Sequence, residues 1–113
     1  MTIYILNLRN FSENVNMNLN IDVSEKIKLM RESERMSRAE ASQEWELKGD
    51  ALWRYENSKT IPNAAVITKI LSHPKFEKYS LWFITGKTIP EVGQIAPALY
   101  DPKNYEIGEE KSA

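Results

Sequence analysis

Apolar residues fall at helical spacing through the middle of this chain, and polar or breaking residues mark where each run stops. Val23, Ile27 and Met30 recur at intervals of three and four behind the capping pattern D-V-S-E at 22–25, which predicts a helix ending near 34–35. Further along, Asn63 is placed to cap a helix whose inward face is Val66, Ile67, Ile70 and Leu71, and His73-Pro74 breaks it. Pro74 suits the first turn of a following helix, FEKYSLWFIT, stopped by Gly86. Phe76, Tyr79 and Phe83 share one face of that helix, whereas Leu81, Trp82 and Ile84 spread around it. A helix apolar on most sides has to be buried twice, and the second surface, through Leu81, Trp82 and Ile84, is expected to meet a second copy of the chain.

Between these runs lies MSRAEASQEWELKGDALWRYENSKTIP at 36–62, around which the chain is organised. Ser37 and Glu40 form a capping box that starts a short helix over 38–45; a turn follows near 46–48, and a second short helix covers 49–57. Helix-turn-helix motifs look like this. Leu47 and Leu52 are expected to fill the angle between them, with Trp45 and Tyr55 at its flanks and the small Ser42 at closest approach. Trp45, Tyr55 and Trp82 are all assigned to the core, Trp82 in addition to its place on the partner-facing side. Arg31 lies on or beside the buried stripe of the first helix, where a guanidinium rarely sits without a carboxylate. Glu56 is the candidate partner, in a structural ion pair tying the first helix to the third; an Arg31 solvated on its own is the alternative.

The ends read differently. TIYILNL near the start favours a strand, and the asparagine-rich run that follows, up to residue 20, is linker-like. Residues 1–21 are taken as an N-terminal arm, with Met17 an alternative start; a lone strand there would need a partner, most simply its twin in a dimer, and the alternative is a loosely attached arm. Residues 87–113 are taken as an extended tail anchored by Val92, Ile95 and Leu99, with EIGEEKSA fraying at the end. No repeat or low-complexity domain is visible.

Composition narrows the class without naming it. With 113 residues, 42% hydrophobic and 27% charged, the chain has the make-up of one ordinary globular domain. There is no cysteine, hence no disulfide and no thiolate metal site. The lone His73 has no second histidine to build a metal site with and is read as a turn residue. No apolar run is long enough to span a bilayer, and no secretory leader is apparent, so a cytoplasmic location is expected. With no glycine-rich phosphate loop and no paired carboxylates, the reading is not an enzyme, with no cofactor, metal or small-molecule substrate. The formal charge of −1 weighs against general nucleic-acid binding, though a local patch suffices for a sequence-specific dimer.

I-x-x-M-R at 27–31, M-S-R-x-E at 36–40, L-x-R-Y-E-N-S-K at 52–59 and I-P at 61–62 together resemble the lambda-repressor-like, Cro/repressor or Xre-like DNA-binding domains. The resemblance covers residues 22–86, and the stretch after His73 is similar to the end of a phage-type regulator lineage. It implies an all-α, compact five-helix domain over 22–86 and a dimeric transcriptional regulator that binds double-stranded DNA. Three features depart from the pattern. Glu46 stands where the family has its turn glycine; Ala41 is small where a larger apolar residue is usual, beside an oversized Trp45; and Glu44, Glu46 and Asp50 bring negative charge to the proposed DNA surface.

Carried over by position, the resemblance makes Lys48, Gly49, Asp50, Trp53 and Arg54 the base-contacting candidates. Arg54 suits guanine, Asp50 a cytosine amine and Trp53 a thymine methyl, while Gly49 offers only close backbone approach. Arg38, Asn57, Lys59 and Thr60 fall where the family holds phosphates. Each has a plainer alternative: Asp50 as a first-turn charge, Trp53 packed on a neighbour or a protein partner, Arg54 solvated or on a phosphate. The expectation is a repressor-like regulator, of phage or prophage type, binding a palindromic operator as a homodimer. Regulation would come from dimerisation, abundance or a partner. The competing reading is an interaction module, antirepressor or antitoxin-like, that keeps the fold without operator binding.

Overall fold

The structure, a computed structural model, describes residues 21–105. The strand and linker expected before residue 21 and the fraying expected at the C-terminus fall outside the described residues. Five α-helices and no strands are present among the described residues: α1 Val23–Ser33, α2 Arg38–Glu44, α3 Ala51–Glu56, α4 Ala64–Ser72 and α5 Ser80–Thr85. Short 3-10 turns cover Glu77–Tyr79, Pro90–Val92 and Pro102–Tyr105. Residues 22–100 form one unit containing all five α-helices. Of the second unit, the described residues from 101 onward form a 3-10 turn held by Asn104 N–H on Asp101 O (3.0 Å) and Lys103 N–H on Asp101 Oδ1 (3.0 Å).

Three helix starts are capped as the sequence predicts. Asp22 accepts from Glu25 N–H, Ser37 and Glu40 close a full capping box, and Asn63 accepts from Val66 N–H. The helix ends share one device. After α1, α2 and α3 the chain turns left-handed at Arg35 (φ 57°), Glu46 (φ 57°) and Ser58 (φ 61°). In each case the next residue donates back across the turn: Met36 to Arg31 O, Leu47 to Ser42 O and Lys59 to Arg54 O. These are Schellman closures built three times without glycine, although a side-chain-bearing residue in this conformation costs roughly 1–2 kcal/mol. They set the tight angles between successive helices.

The core lies between these helices. Ile27 and Met30 of α1, Ala41 of α2, Leu52 of α3 and Ile70 of α4 are buried, together with Met36, Trp45, Phe76, Tyr79, Trp82 and Phe83. Trp45 meets Phe76 edge-on at 4.8 Å between ring centres, and Phe76 meets Tyr79 at 6.3 Å, so one aromatic column joins the helix-turn-helix to the segment before α5. The small Ala41, fully buried, leaves room beside the oversized Trp45.

Several expectations need correction. The helix placed over FEKYSLWFIT begins as a 3-10 turn and becomes α-helical only at Ser80. Backbone groups needed for an earlier start are engaged elsewhere: Glu77 O accepts from the Gln94 amide, Lys78 O from Ile95 N–H, and Leu81 N–H donates to Gln94 Oε1. The same bonds show what anchors the tail. Val92, Ile95 and Leu99 are 68%, 39% and 55% exposed and do not serve as apolar anchors. Gln94, Leu99 N–H on Ser33 Oγ, and the Tyr100 ring against Trp82 hold it instead. Tyr55, expected in the core, is half-buried.

Candidate nucleic-acid interface

The third helix is short because Gly49 is left-handed (φ 58°), so the helix predicted over 49–57 begins only at Ala51. Its inner side is fixed by Leu52, packed in the core, and by Glu56, whose side chain is 1% exposed. Arg31 reaches Glu56 in a two-pronged pair, Nε to Oε2 at 2.6 Å and Nη2 to Oε1 at 3.0 Å, and spends its remaining arm on Met36 O at 2.8 Å. Arg38 Nη1 lies 3.5 Å from Glu56 Oε1. One buried carboxylate therefore gathers α1, the start of α2 and the end of α3. A planar guanidinium and a carboxylate match at only one relative orientation, so the pair fixes the rotation of α3 about its axis.

That rotation turns the opposite side of α3 outward. Trp53 is 42% exposed, unusual for so large an apolar ring, and Arg54 beside it is 46% exposed along its side chain. Lys48 and Gly49 sit exposed in the turn, and beyond its two chain neighbours no heavy atom lies within 4 Å of where a Gly49 side chain would begin. Among the phosphate candidates, Arg38 stands at the first position of α2, half exposed. Asn57 donates its amide to Trp53 O at 2.8 Å, and Lys59 and Thr60 are exposed in the loop after α3.

The three acidic residues beside this surface are each paired. Asp50 Oδ1 lies 3.0 Å from Arg54 Nη1, and Glu46 Oε1 lies 3.7 Å from Lys69 Nζ. Glu44 Oε1 lies 2.6 Å from His73 Nε2. Since His73 Nδ1 accepts from Lys75 N–H, the neutral ring carries its proton on Nε2 and donates it to Glu44. His73 is thus more than a turn residue: it links the end of α2 to the end of α4 and touches Phe76 edge-on.

Of the three residues expected on a partner-facing surface of the last helix, only Ile84 points out, at 64% exposure. Leu81 is half-buried and Trp82 is 1% exposed, because the returning tail lays Tyr100 against its ring. Trp82 belongs to the chain's own core, as its other assignment had it.

Two polar sites had no signal in the sequence. Lys26, at a polar-looking position of α1, is buried and donates to Phe83 O at 2.8 Å with its ammonium over the rings of Trp82 and Phe83. Burial lowers its pKa, and the charge of Asp22 offsets part of that effect. Tyr79 donates to Glu34, which also pairs with Lys78 at 2.9 Å. Burial alone would raise the Glu34 pKa, but the Tyr79 hydroxyl and the Lys78 ammonium outweigh it and hold it below the ordinary carboxylate value. Partners 57 and 45 residues apart leave no local pattern to read.

No protein-family model matches the chain. It is, however, 46% identical over 77 residues to Repressor protein C of Escherichia phage P2, an overlap covering 68% of this chain and 78% of that protein. The chain belongs to that phage repressor family. Membership agrees with the resemblance carried by its helix-turn-helix motifs and with the all-α fold. Glu46, at the position where the resemblance implies a turn glycine, adopts the left-handed conformation that a glycine would supply.

Proposed function

We propose that this chain is a sequence-specific DNA-binding transcription regulator, a repressor of phage or prophage type, that acts as a homodimer through α3. The observation that carries this reading is the outward ridge of Trp53 and Arg54, with Lys48 at its entrance, on a helix whose other side is locked by Glu56 and Leu52. A short helix presented rigidly, with an aromatic ring and a guanidinium at the surface, suits the edges of bases in a major groove. Arg38, Asn57, Lys59 and Thr60 flank it as phosphate contacts, which fix register without reading sequence. Self-association is supported by the distribution of exposed apolar side chains. Five of the seven large ones among the described residues, Ile84, Ile89, Val92, Ile95 and Leu99, fall between residues 84 and 99.

The interaction-module reading rested on the acidic residues near α3. Glu46 and Glu44 are engaged by Lys69 and His73 of this same chain, so their part of the surface is less hostile to phosphate than the sequence suggests. Selection of bound sites from random duplex DNA tests the proposal and reports half-site arrangement at the same time. Replacing Arg54 and Lys59 by alanine should abolish selection while far-UV circular dichroism and sedimentation stay unchanged. Absence of any preferred sequence at low salt, from a folded and soluble preparation, would refute it.

A further inference from the structure

This inference rests on the DNA-binding reading above and concerns Asp50. An aspartate at a helix N-cap ordinarily accepts from the amides of the first turn, but Asp50 makes no such bond. Its carboxylate instead runs along the helix to Arg54, one turn on, at 3.0 Å from Nη1. Both side chains are well exposed, Asp50 at 67% and Arg54 at 46%. The pair does not tie the fold together.

We propose that Asp50 is a specificity-determining residue that acts through Arg54 and does not read a base itself. Its consequence is chemical. A solvated arginine has many rotamers, and near a duplex the strongest attraction it meets is a phosphate, which is the same for every sequence. Pairing Nη1 with Asp50 narrows that freedom and leaves the Nε–Nη2 edge of the planar group available. That edge is a two-donor fork matching O6 and N7 of guanine. The Asp50 charge also repels phosphate oxygens from this spot, so Arg54 is steered off the backbone and toward a base edge. Asp50 thereby lowers sequence-independent attraction and raises discrimination. The second carboxylate oxygen, Oδ2, keeps its capacity to accept from a cytosine amine, and that competing role is separated by the test.

The test is site selection from random duplex DNA, followed by competition binding at several salt concentrations. It compares the unmodified dimer with Asp50→Ala, Asp50→Asn, Arg54→Ala and the double alanine variant. The unmodified protein should favour a guanine at one half-site position that Arg54→Ala no longer distinguishes. Asp50→Ala should weaken preference for that same guanine roughly tenfold. At the same time it should tighten binding to unrelated DNA and steepen the salt dependence by about one unit, as Arg54 takes up a phosphate. Asp50→Asn, which keeps an acceptor oxygen without the charge, should fall between, and the double variant should discriminate no worse than Arg54→Ala. A purely structural role would weaken specific and unrelated DNA binding together, and that outcome overturns the inference. So does relaxation at a different, cytosine position, or an Asp50→Ala variant that keeps the guanine preference. If the unmodified protein selects no sequence, the DNA-binding reading fails and takes this one with it. If it selects a guanine through Arg54 and Asp50→Ala changes nothing, this inference alone fails. Thermal melting of each variant verifies folding, which Asp50 does not support through any cap bond.

Discussion

Removing the Glu56 carboxylate should be among the most damaging single changes in this protein. In Glu56→Ala, Arg31 loses two charged hydrogen bonds, at 2.6 and 3.0 Å, and retains its 2.8 Å bond to Met36 O and a long contact, 3.9 Å, with the half-exposed Glu32. Its side chain is 8% exposed, so water cannot replace what is lost without the helices separating. Stranding one member of a buried pair costs about 3–5 kcal/mol. Arg38, half exposed, loses an ion contact of little worth. Against a total stability of roughly 5–15 kcal/mol for a domain of this kind, the variant should sit near its unfolding threshold at ambient temperature. Glu56→Gln keeps one acceptor oxygen and should lose less, about 1.5–3 kcal/mol.

Urea unfolding followed by far-UV circular dichroism measures these losses, provided the dependence on denaturant stays the same across variants. The decisive comparison is the double replacement Arg31→Met with Glu56→Leu. Exchange of a buried ion pair for apolar groups of similar volume is often neutral or stabilising, so the double variant should be more stable than Glu56→Ala. It orphans Met36 O, worth about 1 kcal/mol. A Glu56→Ala loss below about 1 kcal/mol would refute the claim that this carboxylate holds α1 and α3 together. A double variant as unstable as the sum of its singles would show that the pair's geometry, not the stranded charge, is what matters.

Three further outcomes follow from other parts of the structure. Tyr79→Phe should lose about 1.5–3 kcal/mol at neutral pH, since the hydroxyl donates to a charged Glu34. The Glu34 pKa is lowered on folding, so its contribution is present above its unfolded value and lost as pH falls through the folded one. Tyr79 is raised above its usual value of 10 by burial and by Glu34, so its contribution holds below pH 10 and is lost at higher pH. Urea midpoints across pH should show both losses shrinking in Tyr79→Phe. Glu46→Gly should raise stability by about 0.5–1 kcal/mol by relieving a left-handed glutamate, and a neutral or lower urea midpoint would count against that strain. Of the three tryptophans, only Trp53 should be quenched by iodide, and operator DNA should protect it; quenching of Trp45 or Trp82 in the folded protein contradicts their burial.

Helix existence was legible because the apolar spacing and the caps agree. Asp22, Ser37 and Asn63 each declare a start with a residue whose side chain meets an amide three positions on, a rule that needs nothing beyond the neighbourhood. Gly86 declared a stop in the same local way. What failed were elements decided by distant partners. The late start of α5 depends on Gln94 and Ile95 taking up backbone groups of residues 77–81, and no local rule announces a glutamine more than a dozen residues away. Trp82 looked available to a second chain only because Tyr100, which closes it, belongs to a stretch whose return path the apolar pattern does not encode.

The candidate interface was legible to a different depth. A lone arginine on a buried stripe demands an acid, and few acids end a neighbouring helix, so Arg31 pointed to Glu56 through electrostatic necessity. For surface charges no such necessity exists. Asp50, Glu46 and Glu44 read as a repulsive cluster because sequence order places them together, yet Arg54, Lys69 and His73 reach them from positions 4, 23 and 29 residues onward. The net charge of −1 conceals how charge is arranged, and arrangement is what a duplex responds to at distances shorter than the screening length of about 8 Å. A weakly acidic chain can therefore present a DNA-competent ridge if its acids are engaged internally. Asp50 pairs with the one arginine exposed on α3 and declines the helix cap beside it, and on the DNA-binding reading proposed above this engagement alters what that arginine is free to recognise.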